Sequence, residues 1–336
     1  MTPAALRITV VGAGAIGGFV GAKLAEVGED VTLVDASAEH VEAIRTEGLH
    51  VSGAAELRVR PPVFVPAGFE RPLETVLLAV KAQHTADAVE WIAPRLHESG
   101  CVVSLQNGLQ EPLIAGLVGA ERTIGAFLTF GGFYAGPGEI VFGGEGSFRV
   151  GELDGCASDR IAALAELLEQ AHPVEVTDRI MSFAWGKTAV EAWYFATALV
   201  DADVVDIIDR GERLPELGEL VAEVAKVAAA EGEPCVPIDG FDPNVFADGD
   251  AEGEAASWLA QRRYWDGHIS RRSGIWRDLA ERRRPTEVDG ILAPVLEIAE
   301  RHGIETPRLR RLIALVHDAE TGKLALGLPA LAALTA

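Results

Sequence analysis

The strongest constraint on this chain is a glycine pattern near its start. Gly12, Gly14 and Gly17 have the spacing G-x-G-x-x-G, between a hydrophobic run and a run typical of a helix. In such a unit the first glycine allows a tight turn, the second lets a pyrophosphate approach the backbone, and the third lets the helix pack on the strand. The helix start, with Ala15 and Ile16, offers N–H groups and a partial positive charge to phosphates. The pattern predicts a dinucleotide-binding site.

An acidic residue follows the second predicted strand. Asp35 stands 18 residues beyond Gly17, where a carboxylate can accept hydrogen bonds from both hydroxyls of the adenosine ribose. The same charge repels a 2′-phosphate by roughly 1–4 kcal/mol at an effective dielectric constant of about 20–80, and residues 36–38 include no basic side chain. We therefore expect NAD(H), with NADP(H) disfavoured. A simpler interpretation is that Asp35 caps the next helix, although Ser37 would serve equally well.

Length and charge limit the classes of protein to consider. A chain of 336 residues is expected to form two domains. A net charge of −22 argues against nucleic acid and anionic membranes as partners. The start lacks the order of a signal peptide, no apolar run approaches a membrane span, and the three cysteines are far apart, so we expect a cytoplasmic protein. The eight histidines lack metal-ligand spacing, so no metal is expected.

Strand and helix signals alternate in the first half of the chain, and helical periodicity dominates the second. This predicts a doubly wound Rossmann-type α/β domain over residues 1–178 and an all-α domain over 179–336. The main strands are expected at Ile8–Val11, Val31–Val34, Thr75–Val80, Cys101–Leu105, Thr123–Phe130, Gly138–Phe142, Phe148–Val150 and Val174–Val176. Helices of the second domain are expected at Ile180–Leu199, Asp203–Asp209, Pro215–Glu231, Ala255–Ile269, Glu287–His302 and Pro307–Ala319.

Three other segments carry weaker signals. A glycine-rich bend is expected around Gly131-Gly132 and Gly136-Pro137-Gly138, and residues 234–253 are rich in Pro, Gly and Asp and predict a loop. The apolar tail from Leu324 is expected to pack either on its own domain or on a second subunit.

Polar residues follow two of the predicted buried strands. Lys81 ends one, and Asn107 with Gly108 ends the next. The carboxyl ends of parallel strands are where such sheets bind ligands, so both are candidate site residues. The simpler alternatives are a solvated strand end for Lys81 and an ordinary Asn-Gly turn for the other pair.

Five local sequences, taken in their order along the chain, resemble the ketopantoate reductase (2-dehydropantoate 2-reductase) family. They are residues 12–17, residues 80–83, residues 106–108, Trp185-Gly186-Lys187, and a composite of residues 273–278, 286–289 and 303–307. The resemblance covers nearly the whole chain. It implies a helical domain like the C-terminal domain of 6-phosphogluconate dehydrogenase, a nicotinamide-dependent oxidoreductase acting on CH–OH groups, and a homodimer.

The resemblance also implies roles for single residues. Lys187 resembles the catalytic lysine that bonds the substrate carbonyl and protonates the alkoxide, and Asn107 resembles the asparagine near the nicotinamide and the substrate. Glu287 resembles a glutamate that binds cofactor or substrate, and Ser273 resembles the serine that holds the substrate carboxylate. Lys81 resembles a lysine near the cofactor phosphate or ribose.

Chemistry independently supports the role of the lysine. Hydride transfer to a ketone develops negative charge on oxygen, which a nearby ammonium stabilises and protonates. Apolar neighbours such as Trp185 and Trp193 lower the pKa of Lys187 toward the working pH. The plainer alternatives are a surface lysine with a buried stem, and, for Glu287, a carboxylate favoured at a helix start with Thr286 as the cap.

Two residues depart from the family pattern. The position four residues after the lysine, where the family usually has asparagine, is Glu191. A carboxylate one turn from Lys187 raises the pKa of the amine, and it repels an acidic substrate or attracts a cationic or polyhydroxylated one. Asp35 is the second departure, because the family more often has a basic or neutral residue there that suits NADPH. The expected substrate is therefore a keto acid or ketone other than ketopantoate.

These observations predict an NAD(H)-dependent oxidoreductase that interconverts a small keto acid or ketone and its alcohol. Two alternatives stay open: an opine-type or amine-forming dehydrogenase in which Glu191 holds an ammonium, and a non-catalytic NAD(H)-binding sensor. Eight arginines between Arg262 and Arg284 surround Ser273. They either steer an anion into the cleft or form ion pairs with nearby acids such as Asp278 and Glu281.

Overall fold

The computed structural model describes residues 7–266 and 271–335 and divides the chain into two compact units. The first contains the chain up to Gln106 together with Gln110–Ile180, and the second contains Asn107–Leu109 and the chain from Met181 onward. The boundary between the units therefore lies two residues after the predicted one. The short segment Asn107–Leu109, which follows a strand, belongs to the second unit.

The first unit combines strands and helices in alternation. Its strands are β1 (Ile8–Val11), β2 (Val31–Val34), β3 (Leu49–Gly53), β4 (Leu57–Val59), β5 (Val63–Phe64), β6 (Leu73–Leu78), β7 (Leu96–Ser104), β8 (Thr123–Leu128), β9 (Gly132–Gly136), β10 (Glu139–Phe142), β11 (Phe148–Glu152) and β12 (Glu175–Val176). Its helices are α1 (Ala15–Glu26), α2 (Ala38–Glu47), α3 (Thr85–Ile92), α4 (Glu111–Val118) and α5 (Asp159–Leu168).

The main sheet has the strand order β12-β11-β8-β7-β6-β1-β2-β5. All pairs of adjacent strands in this sheet are parallel except the pair of β8 and β11, which is antiparallel. From β1 the chain order runs outward in two directions, to β2 and β5 on one side and to β6, β7 and β8 on the other. Such a change in strand order is the switch point at which these sheets bind ligands, beyond the carboxyl ends of their strands. The predicted doubly wound α/β fold is confirmed.

A hydrophobic core lies on each face of the main sheet. Successive residues of β1 point to opposite faces, so Val10 belongs to one core and Val11 to the other. This two-sided burial explains why the central strands read as continuous apolar runs. Helix α1 is also covered on a second side, where Phe19 stacks on Phe142 with ring centroids 3.8 Å apart. Phe142 belongs to a smaller sheet of order β4-β3-β10-β9.

The predicted bend is confirmed at Pro137 and Gly138, which form a turn. It is wrong at Gly132 and Gly136, because Gly132–Gly136 form strand β9. This strand pairs antiparallel with β10. A Cβ at Gly132 would lie 2.5 Å from the Val141 carbonyl oxygen, so glycine allows the two backbones to approach each other. The glycines here serve strand pairing as well as turning.

The second unit is helical, as predicted. Its helices are α6 (Ile180–Ala198, which begins at the boundary), α7 (Val204–Arg210), α8 (Leu214–Ala230), α9 (Asn244–Asp248), α10 (Ala251–Asp266), α11 (Gly274–Trp276), α12 (Val288–His302), α13 (Pro307–Glu320) and α14 (Leu328–Ala332). The predicted loop at 234–253 contains α9 and the start of α10, so that prediction is wrong in part. The predicted end of the helix Ala255–Ile269 lies outside the described residues.

Helix α6 is the core of the second unit. Trp185, Trp193 and Phe195 are among its fully buried side chains. The Trp193 ring packs edge-on against Trp258, with centroids 5.3 Å apart. A helix that is apolar on all sides is a buried one, which is why α6 shows little amphipathic pattern.

The apolar tail packs on its own unit. Leu331 and Leu334 are buried, and the Arg308 guanidinium donates a hydrogen bond to the Leu334 carbonyl at 2.9 Å. The first of the two expectations for the tail therefore holds, and these side chains are not exposed for a second subunit. No helix within the described residues is long and apolar enough to cross a membrane.

Candidate active site

The glycine turn leaves open space at one of its three glycines only. Gly12 has φ +94°, and a Cβ there would lie 2.8 Å from the carbonyl carbon of Ala79. A Cβ at Gly17 would lie 2.1 Å from the carbonyl oxygen of Gly12. Nothing lies within 4 Å of the Cβ position at Gly14. The first and third glycines are thus required by the turn and by helix packing, and the second borders open space that suits the close approach of a pyrophosphate.

Asp35 is fixed against the glycine turn. Its Oδ2 accepts a hydrogen bond from the backbone N–H of Ala13 at 2.8 Å, and its Oδ1 accepts one from Ser37 N–H at 2.9 Å. The α2 cap is Ser37, whose Oγ accepts from the backbone N–H of His40 at 3.3 Å. The capping interpretation of Asp35 is therefore wrong. Each carboxylate oxygen retains capacity to accept a further hydrogen bond, such as one from a ribose hydroxyl.

His40 also holds the glycine turn, and the sequence analysis missed it. Its Nδ1 accepts a hydrogen bond from Gly138 N–H at 2.9 Å, so its proton must lie on Nε2. Nε2 then donates to the Ala13 carbonyl at 2.9 Å. The ring is buried on the inner face of α2 beside Val41 and Ile44. A histidine at a core position of a helix was the available signal, but the pattern did not indicate its partners.

A glutamine connects the two strand ends where site residues were expected. The Gln106 amide donates to the Val80 carbonyl at 2.9 Å and to Thr85 Oγ1 at 2.8 Å. The residues it fixes lie on either side of Lys81, which starts a 3₁₀ turn after β6. Gly108 has φ +77°, as the turn interpretation of Asn-Gly predicts. Gln106 is a second positioning residue, and although it belongs to the matched residues 106–108, the sequence analysis assigned it no role.

In the second unit the structure brings together three predicted site residues. Lys187 and Glu191 lie one turn apart on α6, and Glu287 directly precedes α12. Burial lowers the pKa of the Lys187 amine, while the charges of Glu191 and Glu287 act to raise it. Lys187 nevertheless keeps some exposed surface, so a small ligand can reach it.

Glu191 is the more deeply buried partner. Burial raises the pKa of its carboxyl to about 7, and the Glu287 charge adds to the effect while the Lys187 amine opposes it. Within the described residues its Oε2 atom is buried and receives no hydrogen bond. Ionising a carboxyl group with a buried oxygen that has no hydrogen-bond donor is costly, which agrees with its raised pKa.

Local contacts at the starts of two helices involve Glu287, Thr286 and Ser273. Glu287 occupies the position before α12 but makes no capping hydrogen bond with its side chain. The N-cap position is Glu287 and not Thr286, so the predicted cap at Thr286 is wrong. Thr286 Oγ1 instead accepts the Val288 N–H at 3.3 Å in a local turn. Ser273 caps α11, because its Oγ accepts the Trp276 N–H at 3.1 Å. Its hydroxyl proton can still be donated to a ligand.

The arginine-rich segment consists largely of ion pairs. At least five of its eight arginines contact aspartates: Arg262 with Asp209, Arg271 with Asp266, Arg272 with Asp201 and Asp203, and both Arg282 and Arg284 with Asp278. This favours the ion-pair interpretation over a positive surface that steers anions. Within 7–266 and 271–335, no group of three or more His, Cys, Asp or Glu residues is arranged to hold a metal ion.

Comparison with known families identifies the class of protein. The model described as "Ketopantoate reductase PanE/ApbA" matches residues 8–155, and the model of the family's C-terminal domain matches residues 179–320. The chain belongs to the ketopantoate reductase family. The 2-dehydropantoate 2-reductase of Archaeoglobus fulgidus is 32% identical over 324 residues, which are 94% of this chain and 98% of that enzyme. The one from Pyrococcus horikoshii is 30% identical over 319 residues, again 94% and 98%.

Solved structures agree with this family assignment. The 2-dehydropantoate 2-reductase of Geobacter metallireducens is 29% identical, with a TM-score of 0.76 over 94% of this chain and 100% of that one. D-mandelate dehydrogenase with NADH and anilino(oxo)acetate has a TM-score of 0.79 at 24% identity, over 94% and 98% of the two chains, and supports the fold alone. The predicted family is thus confirmed, and this protein is an enzyme, an NAD(P)H-dependent oxidoreductase acting on CH–OH groups.

Proposed function

We propose that this enzyme uses NAD(H) to interconvert a small keto acid and its hydroxy acid, with Lys187 as the general acid and base. The observation that carries the proposal is the Lys187 amine, which loses hydration by burial, is influenced by two carboxylates and belongs to a residue that is still partly exposed. An amine in these surroundings can give up its proton more readily than an ordinary lysine.

The first unit offers the features that a dinucleotide requires. The open space at Gly14 would take the pyrophosphate, with the backbone of Ala15 and Ile16 at the start of α1 donating to it. Asp35 would accept hydrogen bonds from the adenosine ribose. Its negative charge beside the turn supports NAD(H) over NADP(H), since a 2′-phosphate would be repelled. Lys81 would lie near the cofactor phosphate or ribose.

The second unit supplies the proton. When bound, NADH provides the hydride for the carbonyl carbon of the substrate. As negative charge develops on the carbonyl oxygen, the Lys187 ammonium stabilises it and donates a proton. In the reverse direction the neutral amine accepts the hydroxyl proton. We assign Asn107 to orienting the carbonyl, Ser273 to donating its hydroxyl proton to the substrate carboxylate, and Glu287 to holding Lys187 in its charged form.

Glu191 supports a substrate other than ketopantoate. It places a buried carboxylate where the family resemblance implies a neutral amide, and that difference changes which substituents the site tolerates. A carboxylate there could also bind an ammonium, so an amine-forming reaction is the second candidate.

A substrate panel tests the proposal. Oxidation of NADH and NADPH is followed with ketopantoate, pyruvate, 2-oxobutanoate and benzoylformate, each with and without ammonium. We expect turnover of at least one keto acid without ammonium, with kcat/KM about tenfold or more in favour of NADH. Turnover that requires ammonium would support the second candidate, and tight cofactor binding with no turnover of any keto acid would contradict both.

The role of Asp35 has a matched control at the other end of strand β2. Asp30 lies exposed at the opposite end of β2, about 16 Å away at about 3.3 Å per residue. Asp35→Asn and Asp30→Asn remove the same charge, but only the first removes it beside the glycine turn. We expect Asp35→Asn to lower the NADH/NADPH preference about tenfold and Asp30→Asn to leave it unchanged. An equal effect of the two changes would contradict the role of Asp35.

We also propose a homodimer, on the basis of the family alone, because the buried tail no longer supports one. Light scattering on the purified protein should give about 71 kDa, twice the 35.6 kDa of the chain. A mass equal to one chain at assay concentration would contradict the dimer.

A further inference from the structure

The Lys187 site contains a carboxyl group, that of Glu191, with one buried oxygen that receives no hydrogen bond within the described residues. Glu191 as a whole is 8% exposed. Asp278 shows the contrasting case, since Arg282 and Arg284 both donate to it at 2.9 Å. Two guanidinium groups offset the negative charge of Asp278, so its electrostatic effect on other neighbours is small. Among the described residues, the charged groups that shift the pKa of Glu191 include no guanidinium group, so its charge acts more strongly on neighbouring groups.

The cation beside Glu191 is Lys187. Residues four apart on a helix lie on the same face with their side chains about 6 Å apart or less. The sequence direction is Lys187 first, then Glu191, on the rigid and buried helix α6. The two side chains therefore project from the same face of α6, and the Glu191 charge acts on the Lys187 amine.

We propose that Glu191 is a positioning residue that keeps the Lys187 amine protonated, so that this enzyme can use Lys187 as a proton donor at higher pH than a neutral residue at position 191 would allow. Burial removes water from the Lys187 amine and so lowers its pKa, which favours the neutral form. The negative charge of Glu191 acts in the opposite direction and raises the pKa. The catalytic meaning of this inference rests on the proposed function, but the charge state of Lys187 can be measured without turnover.

The other titratable groups around the pair do not replace Glu191. The Glu287 charge acts on both residues and in the same direction on Lys187, so it adds to the effect. The Tyr194 phenol lies near Glu191, but burial holds its pKa well above the usual value, so it is neutral in the relevant range. The groups that influence Tyr194 in turn are Tyr264, Trp265 and Asp239.

The titration of Glu191 matches the requirement. Its carboxyl, with a pKa of about 7, is charged above neutrality. There its charge opposes the loss of the Lys187 proton, which burial favours.

Nuclear magnetic resonance of lysine side chains tests the inference directly. The chain has only five lysines, at positions 23, 81, 187, 226 and 323, so selective labelling gives few signals, and Lys187→Ala assigns the relevant one. In Glu191→Gln we expect the Lys187 signal to titrate about 0.5–2 pH units lower, as follows for a unit charge at about 6 Å and a dielectric constant of about 20–80. Glu191→Asp keeps the carboxylate, so its Lys187 titration should lie closer to that of the wild type than to that of Glu191→Gln.

A matched control and a second readout complete the test. Glu252→Gln removes a carboxylate from an exposed position on α10 and should leave the Lys187 titration unchanged. The alkaline limb of kcat/KM for keto acid reduction should move to lower pH in Glu191→Gln together with the signal. Equal titration of Lys187 in the wild type and Glu191→Gln would overturn the inference. A signal that moves while the activity profile stays in place would support the inference and contradict Lys187 as the proton donor.

Discussion

The glycine turn allows two single substitutions to separate folding from cofactor binding. Gly17→Ala places a methyl group 2.1 Å from a backbone oxygen, so α1 must move outward by about 1.3 Å to reach an ordinary contact of 3.4 Å. Helix α1 is packed on both sides and its movement disturbs both layers. We expect a loss of about 3 kcal/mol, at the upper end for overpacking, or a fall of about 6–12 °C in Tm for a unit of this size.

Gly14→Ala should behave in the opposite way. Its Cβ meets nothing within 4 Å, and its φ of −70° is one that alanine adopts freely. Stability should change by about 1 kcal/mol or less. The new methyl group would occupy the space assigned to the pyrophosphate, so NADH affinity should fall about tenfold or more.

Both variants are measured in parallel by thermal melting without cofactor and by NADH fluorescence titration. The predicted result is a stable Gly14→Ala protein that binds NADH weakly and a Gly17→Ala protein with a lowered Tm. Wild-type affinity in Gly14→Ala would refute the position of the pyrophosphate. An unchanged Tm in Gly17→Ala would refute the packing argument.

Two further predictions concern stability. Burial raises the pKa of Glu111, at the start of α4, to about 7 from an ordinary 4.5, so the folded state binds this proton more tightly than the unfolded state. This proton contributes about 3 kcal/mol to the free energy of unfolding. The contribution is fully present below pH 4.5 and is lost as the pH rises to about 7. Glu111→Gln should therefore gain stability relative to the wild type between pH 5 and pH 8, while exposed Glu90→Gln should not, and a parallel pH dependence in all three proteins would contradict the buried-acid argument. Secondly, NADH should raise Tm more than NADPH at equal concentration, and the reverse order would argue against Asp35 as the selective group.

The main elements could be predicted because their signals are local. The apolar runs that become β1 and β2 lie between glycines and polar residues, and the structure places these strands at the predicted residues. Helix α2 likewise has a serine before it, which caps it, and a glycine after it, at which it ends. Lys187 and Glu191 could be placed on one helix face from their spacing alone.

The missed features depend on partners that are distant in the sequence. Strand β9 exists because it pairs with β10, which in turn pairs with β3 some 90 residues earlier, as in the register Glu139↔His50. The bond from Gly138 to His40 spans 98 residues, and the bond from Gln106 to Val80 spans 26. Periodicity within a short window carries no information on such pairs.

The family resemblance indicated site residues that lie far from Lys187 in the sequence, which spacing within one helix could not do. Glu287 lies far along the chain from Lys187, and only the resemblance singled it out before the structure showed that its charge acts on the amine. Ser273, which the resemblance connects with the substrate, has a structural role as a helix cap as well. Its contribution to substrate binding stays a prediction.

The most direct measurement of the central claim is the turnover of Lys187→Ala with the best keto acid of the panel, together with its NADH affinity. Lys226→Ala is the control, because Lys226 is exposed on α8. If Lys187 donates the proton, kcat should fall about 100-fold or more while the Kd for NADH changes less than about twofold, and Lys226→Ala should match the wild type. A kcat in Lys187→Ala close to that of the wild type would contradict the account.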